Sequence, residues 1–230
     1  MASVADAILD RSFDGWTRRS APAAAEHDCP FVRLLGEDAW LGLPLAVRRR
    51  FLKRITAGAC VTYVGEVAEC RISALGHILA NLARLVGAPL PLHTDTGVPA
   101  CVSVTQDMAG GGQYWTRQYG RRDGFPQVIH SAKRFAGATG IEEYLGLGLG
   151  IALRLSAEDG ALAFRGEHLF FGIGRRFRLR LPRWLNVGLL TVAHVDRGGG
   201  RFAFTLDLVH PWFGELIHQV AIFADEGTAL

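Results

Sequence analysis

At 230 residues, with 49% hydrophobic and 20% charged residues, the chain has the apolar content of one large folded domain and too much of it for a disordered one. Its 25 basic residues against 22 acidic leave a net charge of only +3, which gives no global field of the kind that gathers nucleic acid, so no nucleic-acid partner is expected. No apolar run reaches the ~20 residues of a membrane-spanning helix. The opening "MASVADAILDRSFDGW" is acidic where a secretory leader is basic.

Cys29, Cys60, Cys70 and Cys101 have no CxxC spacing and no nearby histidine pair, which argues against a metal knuckle. Together with the lack of a secretory signal pattern this reads as a soluble, cytoplasmic chain with reduced thiols and no bound metal.

Taken in chain order, residues 1–28 read as a loosely ordered, alanine-rich leader, and residues 29–230 as a single β-rich domain. "LPLAVRRRFLKRI", residues 43–55, reads as a short amphipathic helix with Pro44 in its first turn and Leu45, Phe51, Leu52 and Ile55 on one side. Its "RRRFLKR" reads as a solvated basic face. A second helix is expected over 73–87: Ser73 can cap it, Leu75, Ile78, Leu79, Leu82, Leu85 and Val86 recur at helical spacing, and Gly87 with Pro89 ends it.

From about residue 98 the period changes to two. "CVSVTQ", "QYWTRQY", "QVIHSAKRF", "IEEYLGLGLGIALRL", "LAFRGEHLFF", "FRLRLP", "VGLLTVAHV", "RFAFTLDLV" and "ELIHQVAIF" follow one another between turn signals such as "AGGG", "RRDG", "AEDG" and "DRGGG". Consecutive strands joined by short turns form an antiparallel meander. The expected class is α+β: a long meander making a strongly curved sheet or barrel, packed on one or two N-terminal helices.

Several of these stretches occur together in one family. "YWTRQYG", "IHSAKRF", "IEEYLG", "ALRLSAEDGALAFR" and "GRFAFTLDLVHPWFGELIHQVAIF", preceded by "LLGEDAWLGLPLAVRRRF", resemble a bacterial domain-of-unknown-function family, the one numbered 4166, over residues 31–224. The resemblance implies a fold and a set of positions but no activity. Members of that family are often fused behind a nicotinamide-dinucleotide-binding oxidoreductase domain. The resemblance therefore also implies a separate oxidoreductase partner. The chain departs from the pattern in its last strand, "HQVAIF", where the family often has tyrosine or tryptophan with glycine.

Chemistry-bearing residues concentrate on two strands. Side chains alternate along a strand, so Gln113, Trp115, Arg117 and Tyr119 share one face of "GGQYWTRQYG". In "IEEYLGLGLGIALRL" Glu143 sits in an apolar row with Ile141, Leu145, Leu147, Leu149, Ile151, Leu153 and Leu155. An unpaired charge on either face would cost several kcal/mol, so Arg117 and Glu143 are expected to meet, with Trp115 or Tyr119 against the guanidinium. Such a pair serves equally as a register lock or as a polar anchor for a ligand in an apolar pocket.

His130, His168, His194, His210 and His218 lie in or beside strands without metal-ligand spacing, and His194 and His210 are the candidates for a ligand contact or general base. "GLGLG", residues 146–150, is not GxGxxG and has no helix after it; it reads as a bare strand face where a helix packs closely or the sheet bends. No GxSxG elbow or P-loop is present, and no cofactor is expected. "GRRFRLRLPRW", residues 174–184, reads as an edge strand with one wet face, and alternatively as a contact for an anionic membrane surface or phosphate-bearing partner.

Three functions fit these residues. The favoured one is a domain that binds an apolar or amphipathic, lipid-like small molecule, with Arg117 as anchor. The alternatives are an enzyme or accessory domain acting with a separate oxidoreductase, and a structural or interaction domain with no cavity.

Overall fold

A computed structural model describes residues 28–85, 87, 90–173, 177–182 and 185–225; the expected leader lies outside them, apart from Asp28. Three short helices come first: α1 (Pro30–Leu35), α2 (Glu37–Leu41) and α3 (Leu45–Leu52). They are followed by β1 (Cys60–Ile72), α4 (Ala74–Leu85), β2 (Val98–Asp107), β3 (Gly112–Tyr119), β4 (Gln127–Arg134), β5 (Ile141–Gly146) and β6 (Leu149–Glu158). Then come β7 (Ala161–Ile173), β8 (Phe177–Arg180), β9 (Leu189–Gly198), β10 (Arg201–His210) and β11 (Gly214–Ala224).

The strands pair in the order β6-β5-β4-β3-β2-β1-β11-β10-β9-β7, and β6 pairs back onto β7, so ten antiparallel strands close into a barrel. β8 adds to the far half of β7 alone, as the edge strand expected from "FRLRLP". Closure removes the free edges that an open sheet of this size would leave.

Apolar residues point inward on every wall: Tyr63 and Val67 from β1, Val102 and Val104 from β2, Phe202 from β10, Phe223 from β11. Thr62, Ser103, Gln118 and Asp207 point outward, as do Val64, Tyr114 and Val128, so the outer face mixes polar and apolar residues. No helix among the described residues is long and apolar enough to cross a membrane.

The α+β expectation is therefore approximate, since the fold is a mostly-β barrel with short helices. The expected order, helices first and sheet afterwards, is corrected by β1, which precedes α4 and lies between β2 and β11. The single strand read over 141–155 is a hairpin. Gly146 (φ +153°), Leu147 (φ +46°) and Gly148 (φ +85°) turn the chain, and Gly146 pairs with Leu149 across a two-residue loop. The bare strand face for a helix is therefore corrected too: a Cβ on Gly146 would lie 2.6 Å from the carbonyl oxygen of Gly87, in the segment after α4, and one on Gly150 would meet the Phe170 ring.

The two ends of the barrel are covered differently. α1–α3 plug one end with Phe31, Trp40, Val47 and Phe51. Arg50, expected on a solvated face, is buried there instead. Its guanidinium bonds Asp196 of β9 and Asp225 just beyond β11, and it stacks 4.4 Å from the Phe202 ring centroid.

α4 lies over the other end. Ser73 caps it, its hydroxyl accepting the Gly76 N–H at 3.1 Å while donating to the Leu216 carbonyl of β11. The face α4 turns inward carries small residues, Gly76 and Ala80, with Leu79 half-buried beside them; Leu75, Ile78, Leu82 and Leu85 are exposed. The reason is the close approach itself: a Cβ on Gly76 would run into the Leu216 carbonyl oxygen.

Alanine for glycine ordinarily stabilises a helix interior by about 1 kcal/mol. Gly76→Ala is expected to reverse that sign and lower stability by about 2 kcal/mol, because the added methyl displaces α4 from β11. Urea unfolding measures the difference.

Candidate functional site

The register of β3 sets the site. Trp115, Arg117 and Tyr119 face the interior opposite Val104, Val102 and Ala100 of β2, and their β4 partners are Ser131, Ile129 and Gln127. One step further along β4, Lys133 pairs with Glu143 of β5. Three neighbouring strands thus bring Arg117, Ser131, Lys133 and Glu143 together inside the wall.

Arg117 and Glu143 meet as expected, at 3.8 Å between Nη2 and Oε1, but the contact is shared. The Arg117 Nη1 donates to the Ser131 hydroxyl at 3.3 Å, which in turn donates to Glu143 Oε1 at 2.6 Å. Lys133 donates to the same oxygen at 3.0 Å. Lys133 and Ser131 were missed in the sequence, where "IHSAKRF" has no clean alternation. Lys133 also stands 5.1 Å from the Trp115 ring centroid and 5.2 Å from that of Phe164, closer to the indole than Arg117 at 5.8 Å.

Burial alone would raise the Glu143 carboxyl, but the Lys133 ammonium and the Arg117 guanidinium outweigh it and hold the group at about 2. Burial, with Arg117 nearby, keeps Lys133 below the ordinary lysine value, and Glu143 opposes that shift. Burial raises the Tyr119 phenol.

Two neighbouring spaces, which share Leu90, Leu145 and Leu190 as lining residues, lie on the α4 side of this cluster. One, of about 70 Å³, is lined by Arg117, Tyr119, Ser131, Glu143 and Gln219, with Leu90, Leu145 and Leu190. The other, of about 310 Å³, is bounded by α4 through Leu79, Leu82 and Ala83, by Leu145, Leu149 and Ile151 of the β5–β6 hairpin, and by Leu90, Leu190 and Leu208. Gln127 fixes the 90–92 segment that supplies Leu90, donating to its carbonyl at 2.8 Å and accepting the Leu92 N–H at 3.1 Å.

The family model for a domain of unknown function, DUF4166, matches residues 43–223. The chain belongs to this family. The match begins downstream of the "LLGEDAW" stretch that the sequence comparison included, so α1 and α2 fall outside it. No curated protein and no solved structure matches the chain.

Within the DUF4166 barrel, the two histidines singled out from sequence stand apart from Arg117. His194 is buried in the aromatic layer beneath the helical plug, stacked on Phe202 at 4.6 Å and edge-on to Phe51 and Phe204. Its Nε2 lies 3.4 Å from Arg50 Nη1, and its Nδ1 has no hydrogen-bond partner among the described residues. The space beside it is about 30 Å³, room for one water. Burial and then the Arg50 charge push its pKa down to about 3, so at neutral pH the ring is uncharged and weakly basic.

His210 sits outside the barrel interior, at the β10–β11 turn, against Trp212 and Phe213, and accepts the Trp212 N–H at 3.2 Å. His218 faces outward, 2.6 Å from Asp207. Glu142, the neighbour of Glu143, points to the outer face and is held there by Arg178 of β8 and the Tyr144 hydroxyl. No cluster of metal-ligating side chains occurs among the described residues.

Two outcomes are expected. Glu143→Gln leaves the buried Lys133 and the half-buried Arg117 without their anion and lowers stability by about 3–5 kcal/mol in urea unfolding. The second concerns His194, whose folded-state value near 3 lies below the ordinary 6.5. The unfolded chain therefore takes up the extra proton first, so stability present at neutral pH is lost as pH falls from 6.5 toward 3. His194→Phe, which keeps the ring packing, flattens the fall of melting temperature over that window.

Proposed function

We propose that the barrel binds an amphipathic small molecule, with an anionic oxygen head at Arg117 and an apolar tail in the chamber beneath α4. The observation that carries this reading is that Leu90, Leu145 and Leu190 line both spaces, which sets the polar niche at Arg117 beside the apolar chamber. The chamber's 310 Å³ is the volume of roughly ten waters, at the lower end of the usual range for small-molecule sites, and its lining is mostly aliphatic, with His168 and Asn186 as its polar side chains.

Charge favours an anion. Two cationic side chains share the single carboxylate of Glu143, and Lys133 is the one held tightly to it. Arg117 has five N–H donors in a fixed fork, of which Nη1 is committed to Ser131, and its guanidinium matches a carboxylate in geometry. Gln219 and Tyr119 add polar atoms to the same niche. Glu143 then serves as the counter-ion that keeps Arg117 in place.

Titration calorimetry with dodecanoate and with dodecanol tests the reading. Dodecanoate should bind at least tenfold more tightly, since a charge-assisted hydrogen bond contributes about 1.5–3 kcal/mol. Arg117→Met should abolish that preference and leave dodecanol binding intact, which also shows that the variant is folded. Binding of neither compound, or an unchanged preference in Arg117→Met, rejects the anchor.

A further inference from the structure

Antiparallel closure places the β3–β4, β5–β6 and β10–β11 connections at the α4 end, and the β2–β3, β4–β5, β6–β7 and β9–β10 connections at the plugged end. The residues they present differ sharply. At the α4 end the exposed residues include Phe125 (89%), Trp212 (86%), Leu147 (72%) and, on α4 itself, Leu85 (75%). At the plugged end the β6–β7 and β9–β10 turns are Asp159–Gly160 and Gly199–Gly200, and the exposed apolar residues are Met108 of the β2–β3 turn and Leu41 and Leu45 of the plug.

Leu147 marks the asymmetry most clearly. It occupies a left-handed position (φ +46°), where asparagine, aspartate or glycine is favoured and leucine is strained, and its side chain is in solvent rather than in the core. Most of its apolar surface is left uncovered by the fold. Strain of this kind points to a role outside the folded chain.

The charge at this end is positive. Among the described residues here Arg84, Arg122 and Arg180 are exposed against Asp123, while Glu215 is paired with Arg71. Arg180 on β8 and Arg84 on α4 are exposed among the leucines and aromatics. Exposed aromatic tips with interleaved arginines suit the boundary between lipid headgroups and acyl chains, where the rings enter and the guanidinium groups meet phosphate.

We propose that the α4 end of the barrel docks on an anionic lipid bilayer. Leu147, Phe125 and Trp212 enter the interface, and Arg84 and Arg180 face the headgroups. The docking surface stands without the ligand assignment above, and the two meet at Leu82, which is exposed on this face and lines the 310 Å³ chamber. A docked barrel therefore has only α4 between its apolar chamber and the acyl layer.

Co-sedimentation of the full chain with vesicles of phosphatidylcholine alone, and of an equimolar phosphatidylcholine–phosphatidylglycerol mixture, tests this. The chain should pellet with the mixed vesicles, and added salt should release it. Arg180→Glu should weaken binding by fivefold or more, at roughly fivefold per arginine lost. Leu147→Asn with Trp212→Ser should weaken it at least tenfold. Leu147→Asn by itself should raise the melting temperature, because asparagine suits the turn, so loss of binding and gain of stability appear in one variant. Failure to pellet with mixed vesicles, equal binding to both kinds, or binding unchanged in these variants overturns the proposal. So does a dimer in analytical ultracentrifugation that the same variants dissociate, which would assign this face to a second copy of the chain. Alkanoate calorimetry in solution is indifferent to all of these outcomes, so docking and ligand binding fail separately.

Discussion

Glu143 carries its charge almost out of reach of water, and a buried carboxylate is tolerated only where cations and hydrogen-bond donors surround it. Arg117, Ser131 and Lys133 do so from two strands, and with Glu143 they tie β3, β4 and β5 together on the inner face. A slip of one residue between any of these strands would turn one partner outward and leave the rest uncompensated. The same requirement places Arg117 at the head of the cavity, so the lock on register and the candidate anchor are one set of atoms.

The next residue along β5 repeats the requirement on the opposite face. Glu142 is buried against Arg178, Tyr144 and the β8 edge strand. Consecutive acidic residues thus face in opposite directions, each with its own arginine, and this short strand carries polar constraints on both surfaces. On either side of it the barrel divides into an aromatic half around His194 and Phe202, closed by the helical plug, and an aliphatic half under α4 that holds the larger cavity.

Much of this was legible from period alone. Alternation in "QYWTRQY" put Trp115, Arg117 and Tyr119 on one face, and charge neutrality then demanded Glu143, because both arguments are local. β1 was not legible, although "CVTYVGEVAECRI" alternates. What makes it a central strand is pairing with β11, some 150 residues away in the chain. Lys133 was hidden because Ile129 and Ala132 fall on opposite faces of β4 and give no clear parity. The buried face of α4 was not legible for a related reason. Periodicity locates the leucines, whereas packing chose Gly76 and Ala80, whose small size lets the helix backbone rest against β11. Arg50 belongs to the same class: a charge run looks solvated until distant carboxylates, here Asp196 and Asp225, come to it.

The seam between β1 and β11 also bears on biosynthesis. β1 leaves the ribosome well before its last neighbour exists, and at about 5–20 residues per second the wait is roughly ten to thirty seconds. Throughout that interval one edge of the nascent sheet stands open, and Arg50 lacks Asp225, the carboxylate that completes its clasp. The outward charges of Glu66, Glu69 and Arg71 along β1 are then what discourages that edge from recruiting a strand of another chain.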